Sequence, residues 1–398
     1  MIRTQVGNNL IILSSFRVRV LVLLAAVAIA PRAHAGLPDP ESWQVTRPGV
    51  VLIDPVARAA TLQRFDLAER RRLCPAAQSE TDPAPVIRLV GPATASGADP
   101  AAQPFTLIVM ADAAAALAGD RGAADSALGL LARWARADAL SDLADSGPDR
   151  NNANTLYSLK RVLLGVIPSW ALLAARAAPA PELRQLVESW LARRVLDADE
   201  ATGPAASRAG EAGPGNHNHQ RLMREAVVMA YGALTGNPAE FRRGGQIFLA
   251  TLREMRPDGS LPLESARGPR ALWYQRHAIA SLVMIAELAR VQGYDLYGAE
   301  IDGKRLAHAV DFLLGALAEP NRLAPYASER QDLGFLELRP SGRNAMAWLE
   351  PWHRRARSDV LALGAPATGD VTATLFAHRP LIDELAGGNA TCLFAKPD

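Results

Sequence analysis

The sequence predicts an all-α fold, a toroid or solenoid of sequential helix hairpins, and three observations carry that prediction. From Pro104 to Ala318 apolar residues recur with a period near that of the α-helix. The breaks in this pattern fall on residues that stop one helix and start the next. Strand signals are almost absent, and no motif recurs at a fixed spacing, so a tandem array is not expected.

Residues 1–35 read as an export signal. Arg3, Arg17 and Arg19 form a positive start, Val20 to Ala30 is an unbroken apolar run, and Ala33-His-Ala35 offers a small-x-small cleavage site. No membrane span is expected after cleavage, and export to an oxidising compartment follows. Those 35 residues carry four Arg and no acid. Removing them leaves 43 − 4 = 39 basic against 41 acidic residues, a net −2. The basic balance therefore sits in the signal, and no nucleic-acid affinity follows. An anionic ligand would need a local cluster of Arg.

Residues 36–103 are rich in Pro, Ala and short polar runs and read as an irregular wrapping arm with a lid region. Val50–Ile53 and Val86–Val90 could be short strands or extended arms, and 62–73 a helix. The domain proper is then 104–398. Helices are expected near 105–118, 122–144, 154–177, 181–196, 220–235, 238–255, 270–292 and 303–318. Ala178-Pro-Ala-Pro181 separates the third from the fourth. Asn237 is an N-cap with Pro238 at the first helical position. Pro257-Asp-Gly259 is a turn and Gly293 a C-cap. Pro168 predicts a kink inside the third helix. The two cysteines, Cys74 and Cys392, suit a bridge in an oxidising compartment; two free buried thiols are the alternative.

Chemistry concentrates between Gly215 and Arg276. That stretch opens with Asn216-His-Asn-His219 after a long Gly- and Ala-rich loop, Asp197 to Asn218. It closes with Arg267-Gly-Pro-Arg-Ala-Leu-Trp-Tyr-Gln-Arg276. A short helix connection favours antiparallel pairing, which turns both ends toward one cleft. Amide, imidazole, phenol and guanidinium together suit proton abstraction beside a carboxylate. Each also has a plainer reading: Asn218 as an N-cap, Trp273 as core, Arg270 paired with a helix carboxylate, His277 as a structural histidine.

Several stretches carry a resemblance. Trp134-Ala-Arg-Ala-Asp-Ala-Leu140, Lys160-Arg161 followed by Gly165, Asn218-His219, Asp258-Gly-x-Leu-Pro262 with Arg270-Ala-Leu-x-Tyr274, and Ala347-Trp-Leu-Glu-Pro351 occur in order. In these the chain resembles the mannuronate-cleaving alginate lyases of polysaccharide lyase family five. The resemblance implies an incomplete (α/α) toroid, a periplasmic protein and β-elimination on an anionic polysaccharide. It implies that Asn218 and His219 bind and neutralise the substrate carboxylate, that Tyr274 moves the proton, and that Arg267 and Trp273 line the site. Arg270, His217, His277, Lys160 and Arg161 are the further expected substrate contacts. No cofactor or metal is expected, and the protein is expected to be a monomer.

The chain also departs from the family pattern. Its lid region, Val90-Gly-Pro-Ala-Thr-Ala-Ser-Gly-Ala-Asp99, lacks the family's Lys-Tyr pair. His217 stands for an Asn, Gln220-Arg-Leu222 for aromatics, and His277 for a Tyr. A late Arg-Leu-Gly-Gly-Asp block survives only as Ala362-Leu-Gly-Ala365 with Gly369-Asp370 further on. The departures bear on sugar contact more than on proton transfer.

The expected chemistry removes a proton α to a carboxylate, which becomes feasible once that carboxylate is neutralised. An acid must then protonate the leaving oxygen. In a mannuronate unit both events lie on one side of the ring, so one phenol can serve both. A free phenol ionises near pH ~10, so it needs positive neighbours; Arg270 precedes Tyr274 by one helical turn, and Arg267 sits in the turn before. Three other classes remain open. A hydrolase would need two flanking carboxylates, with Asp138, Glu264 and Glu350 as candidates. A metal site on His217, His219 and Glu225 matches no zinc spacing. A binding or guard protein of an exopolysaccharide system would fit the altered lid. Trp134, Arg136 and Asp138 are expected as a buried support of the cleft, and Trp348 and Glu350 as a brace at the toroid's end.

Overall fold

The computed structural model describes residues 37–78, 82–91, 99–143, 153–200, 218–339, 342–355 and 365–396. Fourteen α-helices among the described residues carry the fold. They are α1 (Pro55–Leu62), α2 (Leu67–Leu73), α3 (Gln103–Leu117), α4 (Arg121–Arg136), α5 (Ala153–Arg176), α6 (Pro181–Glu200), α7 (Asn218–Thr235), α8 (Pro238–Glu254), α9 (Pro262–Ser265), α10 (Ala271–Val291), α11 (Leu306–Ala318), α12 (Leu349–Arg355), α13 (Ala365–Phe376) and α14 (Ala390–Phe394).

Consecutive helices pack as hairpins: α3 with α4, α5 with α6, α7 with α8, α10 with α11. The first members also pack on one another in order, α3 on α5, α5 on α7, α7 on α10. This makes an inner layer of α3, α5, α7 and α10 wrapped by an outer layer. Composition explains the assignment. Helix α3 is apolar on all sides and α10 is buried along nearly its whole length, as an inner helix must be. Helices α4 and α8 carry single apolar stripes and face water on the other side. Helix α5 is long and apolar enough to cross a membrane, yet it is almost wholly buried within the protein.

The ring does not close on itself. A two-stranded antiparallel hairpin, β1 (Ile382–Asp383) and β2 (Gly388–Asn389), enters the gap and touches α3, α5 and α10 with its turn. Nothing in the periodicity marks this hairpin, because strands of two residues leave no alternation to read. The tail beyond it is held from the arm. Cys74 and Cys392 form a disulfide, and Arg58 donates to the Cys392 and Ala395 carbonyls at 2.8 and 2.7 Å. The arm itself is irregular but packed. Trp43 is fully buried and stacks on Tyr294 with ring centroids 4.3 Å apart.

Local signals are obeyed with three differences. Asn237 accepts from the Ala239 and Glu240 N–H groups, with Pro238 opening α8. The expected helix at 62–73 is shortened to α2, because Leu62 closes α1 and Asp66 turns out of helical geometry to cap α2. The expected helix at 122–144 ends at Arg136. Asp138 and Leu140 adopt left-handed backbone (φ 47° and 64°), and the chain reverses to lay Asp142 beside Arg88. That single bridge is all that remains of the two strands considered in the arm. Helix α5 continues through Pro168, where the Ser169 hydroxyl donates to the Gly165 carbonyl at 2.7 Å.

Gly259 requires its lack of a side chain. Its φ is +90°, and a Cβ there would lie 1.9 Å from the His308 carbonyl oxygen. Gly259→Ala is expected to destabilise the protein by about 2–3 kcal/mol through strain and overpacking, read as a lower urea midpoint at unchanged m.

Candidate active site

The N-terminal ends of α7 and α10 lie together, brought there by the α7–α10 packing and by the short α9. Asn218 is the first residue of α7, and His219 follows it into the core. Glu264 on α9 is fully buried and takes two hydrogen bonds from His219. The backbone N–H donates at 2.7 Å and the ring Nδ1 lies 3.1 Å from the carboxylate. Where that carboxylate is ionised it only accepts, and Nδ1 then carries the proton. A charged imidazole would be paired by this carboxylate.

Tyr274 is half-buried one turn into α10, its ring 4.6 Å from that of His219. The Arg267 guanidinium sits 4.8 Å from the centre of the same ring, within cation–π range. Helical spacing pointed first to Arg270. That residue is exposed, and no contact between it and Tyr274 is seen among the described residues. A 3-10 turn at Gly268–Arg270 folds the preceding loop back and delivers Arg267 instead.

Beneath this pair lies a buried polar network. His277, one turn beyond Tyr274's neighbour Trp273, faces His219 edge-on at 5.7 Å. Its Nε2 is 3.4 Å from the Tyr157 hydroxyl. Arg161 donates to the same hydroxyl at 3.0 Å. Arg161 also binds Asp383 at 3.1 Å and Glu384, and Arg343 reaches Glu384 at 3.2 Å. Burial, reinforced by Arg276 and His219, holds the His277 pKa well below the ordinary histidine range, so its ring is neutral. Burial would push Glu384 up, but Arg161 and Arg343 outweigh it and hold it at about 2. Burial, and then Arg224, pull Lys160 down to about 7, with Gln220 accepting from it at 3.1 Å.

Four of the expected substrate contacts are as deeply buried as His219 itself. Lys160, Arg161, Trp273 and His277 are each at most 3% exposed. Arg161 and His277 join the polar network under His219 and Tyr274. Trp273 packs edge-on against Phe335 at 5.6 Å. His217 and most of the Asp197–Asn218 loop lie outside the described residues, as do 92–98 of the lid region and 362–364 of the late block.

The hydrolase candidates do not flank one bond. Glu264 serves His219, Glu350 is held by Arg379 at 2.7 Å and by Thr391 near the tail, and Asp138 pairs with Arg193 on the surface. The buried support expected of Trp134, Arg136 and Asp138 is therefore not an ion pair. Trp134 stacks on Phe105 at 3.7 Å, while Arg136 is exposed. Glu350 does brace the end of the fold. Among the described residues no group of three or more His, Cys, Asp or Glu is placed to hold a metal ion.

Two residues were missed as parts of the site. Tyr157 precedes Arg161 by one helical turn, a spacing that puts both on one face. Glu264 stands three residues before Arg267 but carried no signal of a histidine partner 45 residues away. Glu264→Gln should keep an oxygen for Nδ1 but remove the charge that supports an imidazolium. The expected outcome is a kcat lower by about 10- to 100-fold at nearly unchanged Tm, checked by steady-state kinetics and thermal unfolding.

Comparison with known proteins agrees with this architecture. The Alginate lyase family model matches residues 91–323, more than half of the chain. A polysaccharide lyase of Stenotrophomonas maltophilia (strain K279a) is 29% identical over 251 residues, covering 63% of this chain and 69% of that protein. An alginate lyase of Pseudomonas syringae pv. tomato is 29% identical over 236 residues, so the match spans only 56% of that relative's length. The crystal structure of alginate lyase A1-III from Sphingomonas species A1 superimposes with a TM-score of 0.70 at 24% identity, covering 90% of this chain and 99% of that one. The fold is thus the α/α toroid, and the chain belongs to the alginate lyase family of polysaccharide lyases.

Proposed function

We propose that this protein is an exported lyase that cleaves a 4-linked uronate polymer, alginate or a related acidic polysaccharide, by β-elimination. The observation that carries the reading is the convergence of His219, Tyr274 and Arg267, with Glu264 behind the histidine. His219, with the Asn218 amide, neutralises the uronate carboxylate and so acidifies the neighbouring C5 proton. Tyr274 takes that proton and returns one to the departing O4, leaving an unsaturated sugar at the new non-reducing end. Arg267 places a permanent positive charge against the ring that carries negative charge during the transfer. The names of the relatives support alginate as substrate, and the four Arg and apolar run of residues 1–35 support export.

The test is absorbance growth near ~230 nm, from the conjugated product of elimination, with polymannuronate, polyguluronate, polyglucuronate and hyaluronan. Signal with one polymer, lost in His219→Ala, supports the reading and names the substrate. New reducing ends without absorbance would replace it with hydrolysis. Polymer binding without any product would replace it with a binding protein.

A further inference from the structure

A second cavity, of about 370 Å³, lies at the far end of α10 from Tyr274. Tyr274 and Arg290 stand at opposite ends of that helix, ~24 Å apart at about 1.5 Å per residue. The volume is in the range that holds sugar-sized ligands. Its lining includes five guanidinium groups, Arg47, Arg58, Arg290, Arg354 and Arg355, and three carboxylates.

Two of the five are already neutralised. Arg47 pairs with Asp54 at 2.5 Å, and Arg355 holds Glu287 at 2.9 Å. The third carboxylate, Asp295, accepts from the Tyr297 and Gly298 N–H groups of its own turn. Arg58, Arg290 and Arg354 have no carboxylate within salt-bridge distance among the described residues. Arg58 is only 4% exposed, and its Nη2 has no hydrogen-bond partner. Its other two donors, and one N–H of Arg354, go to the last carbonyls around α14. Capping those carbonyls explains three N–H groups. It leaves Arg58 Nη2 unused and does not explain a third guanidinium, that of Arg290, on the same wall. Burial and the Arg354 charge push Arg58 down to about 9, while burial and Arg355 pull Arg354 down as well. These cations raise one another's energy, and an oxyanion between them would relieve it through charge-assisted hydrogen bonds.

We propose that this cavity is a second anion-binding site, separate from the elimination cleft, for a compact ligand bearing a carboxylate or phosphate group. It does not depend on the elimination reading. The test uses the full chain, titrated by calorimetry with inorganic phosphate and with monomeric mannuronate, against sodium chloride at matched ionic strength. The expected result is saturable binding of at least one anion, equal in His219→Ala. The Kd should weaken by about tenfold or more in Arg290→Gln and in Arg354→Gln, as loss of a charged hydrogen bond implies. Arg290 is exposed, so its variant tests the site even where Arg354→Gln folds poorly. Binding of mannuronate alone identifies a fragment of an acidic polymer as the ligand; binding of phosphate alone identifies a phosphorylated one. No saturable binding beyond chloride, binding unchanged in Arg290→Gln, or binding lost in His219→Ala would overturn the proposal.

Discussion

Tyr274→Phe is expected to lower kcat on the cleaved polymer by about 10³-fold, near the upper part of the range for a group that both takes and gives a proton. The substitution removes one oxygen and leaves the ring. Packing against His219 and the Arg267 guanidinium survives, and KM should change little. The ring is half-buried and its hydroxyl is not part of the network below, so Tm should also hold. His219→Ala attacks the same transition state from the carboxylate side, at about 10²- to 10³-fold. The double variant should lose far less than the product of the two, because neither group accelerates elimination alone. Initial rates of absorbance growth, with circular dichroism to confirm folding, decide it. A Tyr274→Phe enzyme with a rate within a few-fold of wild type would move the base elsewhere.

Arg161→Met is expected to cost about 3–5 kcal/mol of stability, the usual consequence of stripping a cation from a buried charge cluster. Among the described residues Glu384 would keep Arg343, while Asp383 would keep only the Leu385 N–H, and all three side chains are at most 5% exposed. The pH dependence gives a sharper check. In the wild type Glu384 lies below its ordinary value of 4.5, at about 2. Its contribution is full above the ordinary value and is lost as pH falls through that window. Asp383, pushed up chiefly by burial, works the other way and makes the slope shallower. In Arg161→Met, burial would dominate both carboxyls, and stability should rise as pH falls toward 4. Urea midpoints at a series of pH values distinguish the two slopes.

The sequence carried the hairpins, their order and the two ends of the cleft because those features are local. A proline, an Asn cap or a run of apolar residues acts within one or two turns of itself. His219, Tyr274 and Arg267 were legible for a related reason: they sit at helix ends, where a short connection limits where they can go. What was not legible depends on meetings between distant segments. Lys160 and Arg161 look like cleft cations until the tail supplies Asp383 and Glu384 and the start of α7 supplies Gln220. Trp273 looks like a sugar platform until Phe335 covers it. Arg270 has the better helical spacing, and a 3-10 turn gives the place to Arg267.

The hairpin that fills the open side of the ring comes from the last part of the chain, and the foundation of the cleft hangs on it. A polypeptide emerging N-terminus first has Asn218, His219, Arg267 and Tyr274 long before it has Asp383 and Glu384. Until those two arrive, Arg161 is a buried cation without counter-charge, and the Tyr157–His277 layer above it has nothing to rest on. The layer under His219 therefore depends on residues more than a hundred positions further along the chain than the cleft it supports. A chain cut before residue 383 is expected to leave that cation without its carboxylates and to loosen the layer beneath His219, read as a lower urea midpoint.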